Sequence, residues 1–145
     1  MNKVECAVSY FEQGFSCSQA VFSTFGTQLG LDRELALKVA GGFGGGMGRM
    51  GKTCGAVTGA FMTIGLQHGN TSAEDKQTKE KVYSLIQEFV AEFEARNGSI
   101  VCNELLDYDI SVPEQTQAAR DAGLFNTLCP KLVRDAAEIV EQILA

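Results

Sequence analysis

Residues 41–66 read GGFGGGMGRMGKTCGAVTGAFMTIGL, and this stretch contains the two features that decide the fold. Glycine occupies eight of the fifteen positions from Gly41 to Gly55, which is half of the 16 glycines in the chain. A regular helix does not tolerate that density, because each glycine costs up to about 1 kcal/mol relative to alanine in a helix interior. We therefore predict a glycine-rich loop with positive φ angles or close backbone approaches.

The residues after this loop predict a central helix over Cys54–Leu66. This run is apolar on all sides and small on several faces, which indicates a helix closely surrounded by other helices. It is too short to cross a bilayer, which takes about 20 apolar residues. The sequence therefore predicts no direct membrane insertion.

Helical periodicity recurs along the rest of the chain, and strand alternation is nearly absent. The clearest example is Ser72–Arg96, which carries one apolar stripe and is closed by Gly98 as a left-handed C-cap. The other predicted helices span Lys3–Glu12, Cys17–Leu29, Asp32–Ala40, Pro113–Gly123 and Pro130–Leu144, with Pro130 in a first-turn position. The sequence predicts an all-α bundle of six or seven helices that forms one domain over residues 1–145.

Composition and charge narrow the class of function. At 145 residues the chain buries enough apolar surface to fold without disulfides or a metal. The net charge is −6 with only 12 Lys and Arg residues, so no surface for nucleic acid is expected. The N-terminus has no apolar signal segment, which predicts a cytoplasmic protein. In that reducing compartment, cysteines more often serve metal, redox or catalytic chemistry than structural disulfides.

Four of the five cysteines begin predicted elements: Cys17, Cys54 and Cys129 lie at helix starts, and Cys102 lies at the start of a short turn over Cys102–Leu106. Backbone N–H groups and the positive end of the helix dipole stabilise a thiolate at such positions. A single buried cysteine is usually a small apolar residue, but four in this position indicate a shared site. Cys6 lies inside the first predicted helix and is interpreted as packing. No C-x-x-C is present, so the fold must assemble any site from four separate segments.

The chain resembles the redox-active protein family labelled C_GCAxxG_C_C, from Cys17 to the C-terminus. The resemblance rests on GFSCSQAV at residues 14–21, on CGAVTG at residues 54–59, and on Cys102 and Cys129-Pro130. It implies a cytoplasmic redox role for the four cysteines, and a functional link to a transporter through neighbouring genes. It also implies an iron–sulfur cluster, which these cysteines hold in related domains joined to cytochromes.

Two redox chemistries remain open for the four cysteines. They either bind a [2Fe–2S] cluster and carry one electron, or two of them form a reversible disulfide and pass two electrons to a partner thiol. In the cluster hypothesis Gly51, Gly55 and Gly59 let backbone groups approach the sulfurs. We favour the cluster because thiol exchange needs only two cysteines. Either chemistry requires a redox partner protein.

Two alternatives lie outside redox chemistry. The first is a structural zinc site with all four cysteines as ligands. The second is a helical binding module with inert cysteines that partners a membrane transporter. Cysteine geometry separates these from the redox hypotheses.

The glycine-rich loop also matches two nucleotide-binding motifs. Residues 46–51 fit G-x-G-x-x-G, and residues 46–53 fit the P-loop pattern with Lys52 and Thr53 in place. Both motifs require a preceding buried strand, whereas residues 34–40 are helical, so no nucleotide cofactor is expected. Arg49 and Lys52 either offset the charge of a bound cluster or are solvated. His68, the only histidine, is expected to interact with a helix C-terminus, away from Cys54.

Overall fold

The structure, a computed structural model, describes all residues from Met1 to Ala145 and confirms the all-α fold. The helices are α1 (Lys3–Glu12), α2 (Cys17–Gln28), α3 (Arg33–Ala40), α4 (Gly55–His68), α5 (Lys76–Asn97), α6 (Cys102–Leu106), α7 (Pro113–Asp121) and α8 (Leu124–Leu144). There are eight, rather than six or seven, because α6 is a short helix and not an isolated turn. None of them combines the length and the apolar character that crossing a membrane requires.

Helix α4 is the predicted central helix and packs against α2, α5 and α8. Its small residues permit this close packing. A Cβ added at Gly59 would lie 2.9 Å from the carbonyl oxygen of Ser18 and 3.1 Å from the Cβ of Val21. Any side chain at Gly59 would therefore push α2 away from α4.

Several helix ends follow the local signals in the sequence. Ser16 caps α2 through a capping box with Gln19, and Asp32 accepts from the backbone of Leu35 at the start of α3. Gly98 ends α5 with φ of 86°, the left-handed conformation expected of a glycine C-cap.

The start of α8 was predicted wrongly. The helix begins at Leu124 after Gly123, whose φ is 76°, so Cys129 and Pro130 lie inside the helix and not at its first turn. A proline at this position removes the N–H that would otherwise bond to the carbonyl of Asn126. The apolar face of α8 is long and deeply buried, and this packing offsets the lost hydrogen bond.

The glycine-rich loop contains a left-handed turn, which we call the glycine turn (residues 45–49). All five of its residues have φ between 63° and 67°. Two backbone hydrogen bonds close it, from Gly51 to the carbonyl of Gly45 and from Lys52 to that of Gly46. A left-handed helical conformation costs a non-glycine residue roughly 1–2 kcal/mol, so Met47 and Arg49 are strained there.

A short antiparallel bridge joins the end of this loop to the segment before α6. The bridge pairs Thr53 with Val101. On one side the N–H of Cys54 donates to Ile100 over 2.7 Å, and on the other the N–H of Cys102 donates to Lys52 over 2.6 Å. Two cysteine-bearing segments that are far apart in sequence are thus held side by side.

Candidate functional site

One cavity of about 120 Å³ is lined by Cys17, Cys54, Cys102 and Cys129 together. Four separate segments contribute one cysteine each, so the cavity exists only in the folded chain. Most of the remaining wall is apolar. Those other lining residues are Phe11, Ser16, Gly45, Gly46, Gly55, Leu105, Leu106, Ile110, Phe125 and Leu132.

Cys17 and Cys54 enter the cavity from two helix N-termini, as predicted. Cys17 is the first residue of α2, and Cys54 is the N-cap of α4. The two helix starts approach closely because Gly55 has no side chain. A Cβ at Gly55 would lie 3.3 Å from the Cβ of Cys17 and 3.0 Å from the backbone nitrogen of Ser18.

Cys102 is held by the backbone and by its neighbour Asn103. The side chain of Asn103 accepts from the N–H of Ile110 and donates to Asp109, each over 3.0 Å. Its amide lies where a Cβ at Gly51 would be, so glycine is required there. This network ties the start of α6 both to the glycine-rich loop and to Ile110 in the cavity wall.

Cys129 reaches the cavity from the interior of α8. It is buried, at 7% exposure, and lies one helical turn after Phe125, which lines the same cavity. Because the helix begins earlier than predicted, no helix N-terminus acts on this sulfur. Its contact with Cys17 sets its chemistry instead.

Burial dominates the acid–base chemistry of the site, contrary to the prediction of stabilised thiolates. Burial raises the pKa of Cys54 to about 11, although the backbone N–H groups of Ala56 and Val57 at the start of α4 act in the opposite direction. Burial also raises the pKa of Cys102 to about 12, with the nearby Cys54 and Cys129 adding to the shift. These two cysteines are therefore protonated thiols at neutral pH.

Cys17 and Cys129 pack in one apolar cluster, and each shifts the pKa of the other. A hydrogen bond with Cys129 raises the pKa of Cys17 well above 9.0, and burial adds to the effect. The same hydrogen bond lowers the pKa of Cys129 below 9.0. Cys17 is accordingly the thiol that keeps its proton, and Cys129 is the thiol that ionises more readily.

The glycines predicted to approach a cofactor are in different environments. Gly55 lines the cavity, whereas Gly51 lies against Asn103 and Gly59 against α2. The glycines that line the cavity besides Gly55 are Gly45 and Gly46, in the glycine turn.

Phe11 and Phe125 are cavity residues that the sequence reasoning missed. They also line an open surface cleft of about 490 Å³, so they separate the cysteines from that cleft. The position of Phe125 in the cavity could have been predicted from sequence, since Phe125 lies four residues before Cys129 and so shares its helical face. The wrong start of α8 concealed this relationship.

The remaining candidates lie outside the cavity. Cys6 is half-buried in α1, with its sulfur 4.0 Å from the carbonyl oxygen of Met1. His68 ends α4, and its pKa is lowered by partial desolvation and by Lys81. Arg49 and Lys52 are exposed. Helix α3 precedes the loop where a nucleotide-binding motif would need a strand.

The cysteines do not form a preformed site for a single metal ion. No group of three or more His, Cys, Asp or Glu side chains in the chain is arranged to hold one. All five cysteines are free thiols in the structure. The arrangement is four thiols spread around one small apolar cavity.

The fold and the cavity define a class: a small all-α protein with a cysteine-lined interior site. The chain belongs to a family of redox-active proteins, since the family model described as "Putative redox-active protein (C_GCAxxG_C_C)" matches residues 15–143. This match confirms the resemblance seen in the sequence. Neither the curated proteins nor the solved structures compared with the chain gave a match.

Proposed function

We propose that Cys17, Cys54, Cys102 and Cys129 hold an iron–sulfur cluster of the [2Fe–2S] type and that the protein transfers single electrons. The observation that carries this proposal is the shared cavity, because all four cysteines line it and Cys6 does not. Four cysteine thiolates are the usual ligand set of such a cluster. When bound, the cluster would supply one-electron redox chemistry.

The space between the four sulfurs fits a small inorganic core. An apolar cavity of ~150 Å³ holds a benzene molecule, so about 120 Å³ has room for the four atoms of an iron–sulfur rhomb. The apolar wall excludes water from the site, which affects reduction potential. The start of α4 places the backbone N–H groups of Ala56 and Val57 near Cys54, and polar groups beside the sulfurs tune such potentials.

The family favours a cluster over structural zinc, because the chain belongs to a family of redox-active proteins and a zinc ion has no redox chemistry. The raised pKa values of Cys54 and Cys102 do not oppose binding, because metal ligation releases thiol protons.

The test is metal and sulfide analysis of protein purified without oxygen. We expect two irons and two acid-labile sulfides per chain, with visible absorption that bleaches on reduction. Serine substitution of Cys17, Cys54, Cys102 or Cys129 in turn should remove most of the iron. Cys6→Ser is the matched control, because Cys6 lies outside the cavity, and it should retain full iron content. Iron-free anaerobic protein, or equal loss in Cys6→Ser, would contradict the proposal.

A second candidate function rests on the proximity of Cys17 and Cys129, which line the same cavity and shift each other's pKa. Their opposite pKa shifts resemble those of a thiol–disulfide exchange pair, with Cys129 as the attacking thiolate and Cys17 as the resolving thiol. The Cys129 thiolate would attack a partner disulfide and release one partner thiolate. Cys17, after losing its proton, would then attack the Cys129 sulfur and release the second. The partner gains two electrons, and Cys17 and Cys129 end as a disulfide.

Peptide mapping after differential alkylation separates the two candidate functions. Exchange chemistry predicts a Cys17–Cys129 disulfide in the oxidised, iron-free protein, with Cys54 and Cys102 still free. It also predicts that Cys54→Ser and Cys102→Ser retain exchange with a model disulfide such as oxidised dithiothreitol. The cluster proposal predicts that these two variants lose iron as fully as the other two.

A further inference from the structure

The chain contains a long segment without a single carboxylate. Between Glu34 and Glu74 there is no Asp or Glu, although the chain as a whole has 18 acidic residues and a net charge of −6. The same segment carries three cations, namely Lys38, Arg49 and Lys52. All three are exposed, and none forms an ion pair within 4.0 Å.

Exposed apolar residues accompany these cations. Leu35 and Val39 are each 48% exposed, and Met50 is 56% exposed. Leu35, Lys38 and Val39 share one face of α3, opposite the buried Ala36 and Ala40. This outer face is exposed to solvent, and its residues are not part of the buried core.

The cations and apolar residues lie on two segments that meet, the outer face of α3 and the end of the glycine turn. Helix α3 runs directly into Gly41–Phe43, and a Cβ at Gly48 would lie 3.9 Å from the carbonyl oxygen of Gly42. This approach brings the end of the glycine turn against the end of α3. We call the result the basic surface and define it as Leu35, Lys38, Val39, Gly42, Gly48, Arg49 and Met50.

The basic surface lies on the outside of a cavity wall. Arg49 belongs to the glycine turn, whose first residues, Gly45 and Gly46, line the cysteine cavity. The Cγ atom of Arg49 lies 2.8 Å from the position of a Cβ at Gly45. One short turn therefore presents the cavity on one side and a cationic residue to solvent on the other.

We propose that the basic surface is the docking site for a small acidic electron-transfer protein. Charge complementarity supports this choice of partner. A basic patch on an acidic chain attracts an acidic partner to one face, while the acidic remainder of the surface repels it. Arg and Met are enriched in protein interfaces, and redox encounters need only a small contact area. This inference rests on the proposed redox function, which gives the reason for an electron-transfer partner. The docking itself would be the same whether the cysteines hold a cluster or exchange disulfides.

Two carboxylates act on the cations of this segment. Glu34 precedes Lys38 by one turn of α3, and the pKa of Asp109, lowered mainly by hydrogen bonds from Ser111, is also lowered by Lys52. Asp109 thus partly offsets Lys52, which is why Lys52 is left outside the defined surface. Lys38 and Arg49 are the two cations that carry the electrostatic attraction.

The test uses an acidic flavodoxin as the probe, added to ¹⁵N-labelled protein at low ionic strength. We expect amide shifts concentrated at residues 35–42 and 48–50, and affinity that falls as salt increases. The double variant K38E/R49E should weaken binding by at least about tenfold. Its matched control is K76E/K81E on α5, which makes the same change in net charge at exposed positions and should change affinity less than about twofold.

The apolar part of the surface is tested separately. The variant L35S/V39S should weaken binding while leaving the dependence on salt unchanged, since it removes no charge. Circular dichroism and thermal unfolding of each variant show that these exposed substitutions leave the fold intact. Because amide shifts require neither iron nor a disulfide, loss of the proposed cysteine chemistry would leave this measurement unaffected.

Three results would overturn the proposal. The first is equal weakening by K38E/R49E and K76E/K81E, which would mean that only net charge matters. The second is a flavodoxin footprint elsewhere on the chain, or the same footprint with a basic cytochrome c. The third is concentration-dependent self-association of the chain that K38E/R49E abolishes, which would make a second copy the occupant.

Discussion

The backbone N–H of Cys102 donates to the carbonyl of Lys52 over 2.6 Å, and this bond links the two sides of the cysteine cavity. It is one of two hydrogen bonds that flank the Thr53–Val101 bridge, the other running from Cys54 to Ile100. The positions of Cys54 and Cys102 are therefore set by the backbone. Displacing them requires a group inserted against the backbone, and the glycine turn offers such a place.

Gly46→Ala should displace Cys102 and destabilise the fold. The new Cβ would lie 2.7 Å from the Cβ of Cys102 and 2.7 Å from the backbone nitrogen of Lys52, at a φ of +67°. Backbone cannot move aside as a flexible side chain does, so we expect a loss of about 2–4 kcal/mol in the free energy of unfolding. Urea denaturation measures this loss, and iron content per chain measures the effect on the site.

Gly65→Ala is the matched control for that substitution. A Cβ at Gly65 meets no heavy atom within 4 Å, and Gly65 has ordinary helical geometry inside α4. Alanine there should stabilise the protein by about 0.5–1 kcal/mol and leave iron content unchanged. Equal effects of the two substitutions would mean that the close approach of Gly46 to Cys102 does not constrain the site.

Local signals explain which parts of the fold could be predicted from sequence. Helix α1 has the predicted bounds, and Gly98 ends α5 as predicted. Ser16 and Asp32 likewise cap the starts of α2 and α3, because capping depends on a few neighbouring residues. Pro130 misled the prediction of α8. A proline is a helix-start signal only when packing does not override it, and the burial of α8 is a property of the whole fold.

The candidate site was likewise predictable only in part from the sequence. Its four cysteines could be selected from sequence because the segments around them follow a recognisable pattern. Their acid–base behaviour could not, since the raised pKa of Cys54 reflects burial that no local pattern reveals. The positive φ of the loop glycines was predictable, but the left-handed conformation of Met47 and Arg49 depends on the turn that their glycine neighbours impose.

Alkylation of Cys129 should begin at a lower pH than an ordinary thiol allows, and this should depend on Cys17. The hydrogen bond with Cys17 lowers the pKa of Cys129 below 9.0. Cys17→Ala removes the donor, so the midpoint of the rate profile should rise. Cys17→Ser keeps a hydroxyl donor and should shift the midpoint less. The measurement is the rate of iodoacetamide modification of the reduced, metal-free protein against pH, read by mass spectrometry of the Cys129 peptide.

This comparison has a clear negative outcome. If Cys17→Ala and Cys17→Ser give the same midpoint as the unmodified sequence, the contact with Cys17 does not set the acidity of Cys129. Cys6→Ser tests whether loss of any thiol perturbs the profile, and we expect it to have no effect, because Cys6 lies outside the cavity.

The reduced, metal-free protein should lose stability as pH rises above 9. The pKa of Cys54 is about 11 in the folded chain against an ordinary value of 9.0. Between these values the unfolded chain has released the proton and the folded chain retains it, so the free energy of unfolding falls with pH. The expected slope is about −1.4 kcal/mol per pH unit for one such thiol, and stability is fully present below pH 9.

Cys54→Ala isolates this contribution from other groups that titrate at high pH. Urea denaturation from pH 7 to pH 11 should show a shallower decline in the variant than in the unmodified sequence. The difference between the two should be constant below pH 9 and change only above it. Parallel curves across the whole range would show that ionisation of Cys54 is not linked to folding.

Asn103 should stabilise the cavity wall through its two hydrogen bonds. Asn103→Ala leaves the N–H of Ile110 without its acceptor, and such an unpaired group costs about 1–3 kcal/mol when buried. It also removes the amide donor from Asp109, which keeps its hydrogen bonds from Ser111. Asn103→Asp keeps an acceptor for Ile110 but places a second carboxylate against Asp109. Its free energy of unfolding should therefore recover as pH falls from 7 to 4 and repulsion is relieved, whereas that of Asn103→Ala should not.

Urea denaturation at the two pH values measures this difference, with the exposed Asn126→Ala as a control expected to change stability by less than about 0.5 kcal/mol. Identical pH dependence in Asn103→Asp and Asn103→Ala would show that Asn103 does not face Asp109 in solution.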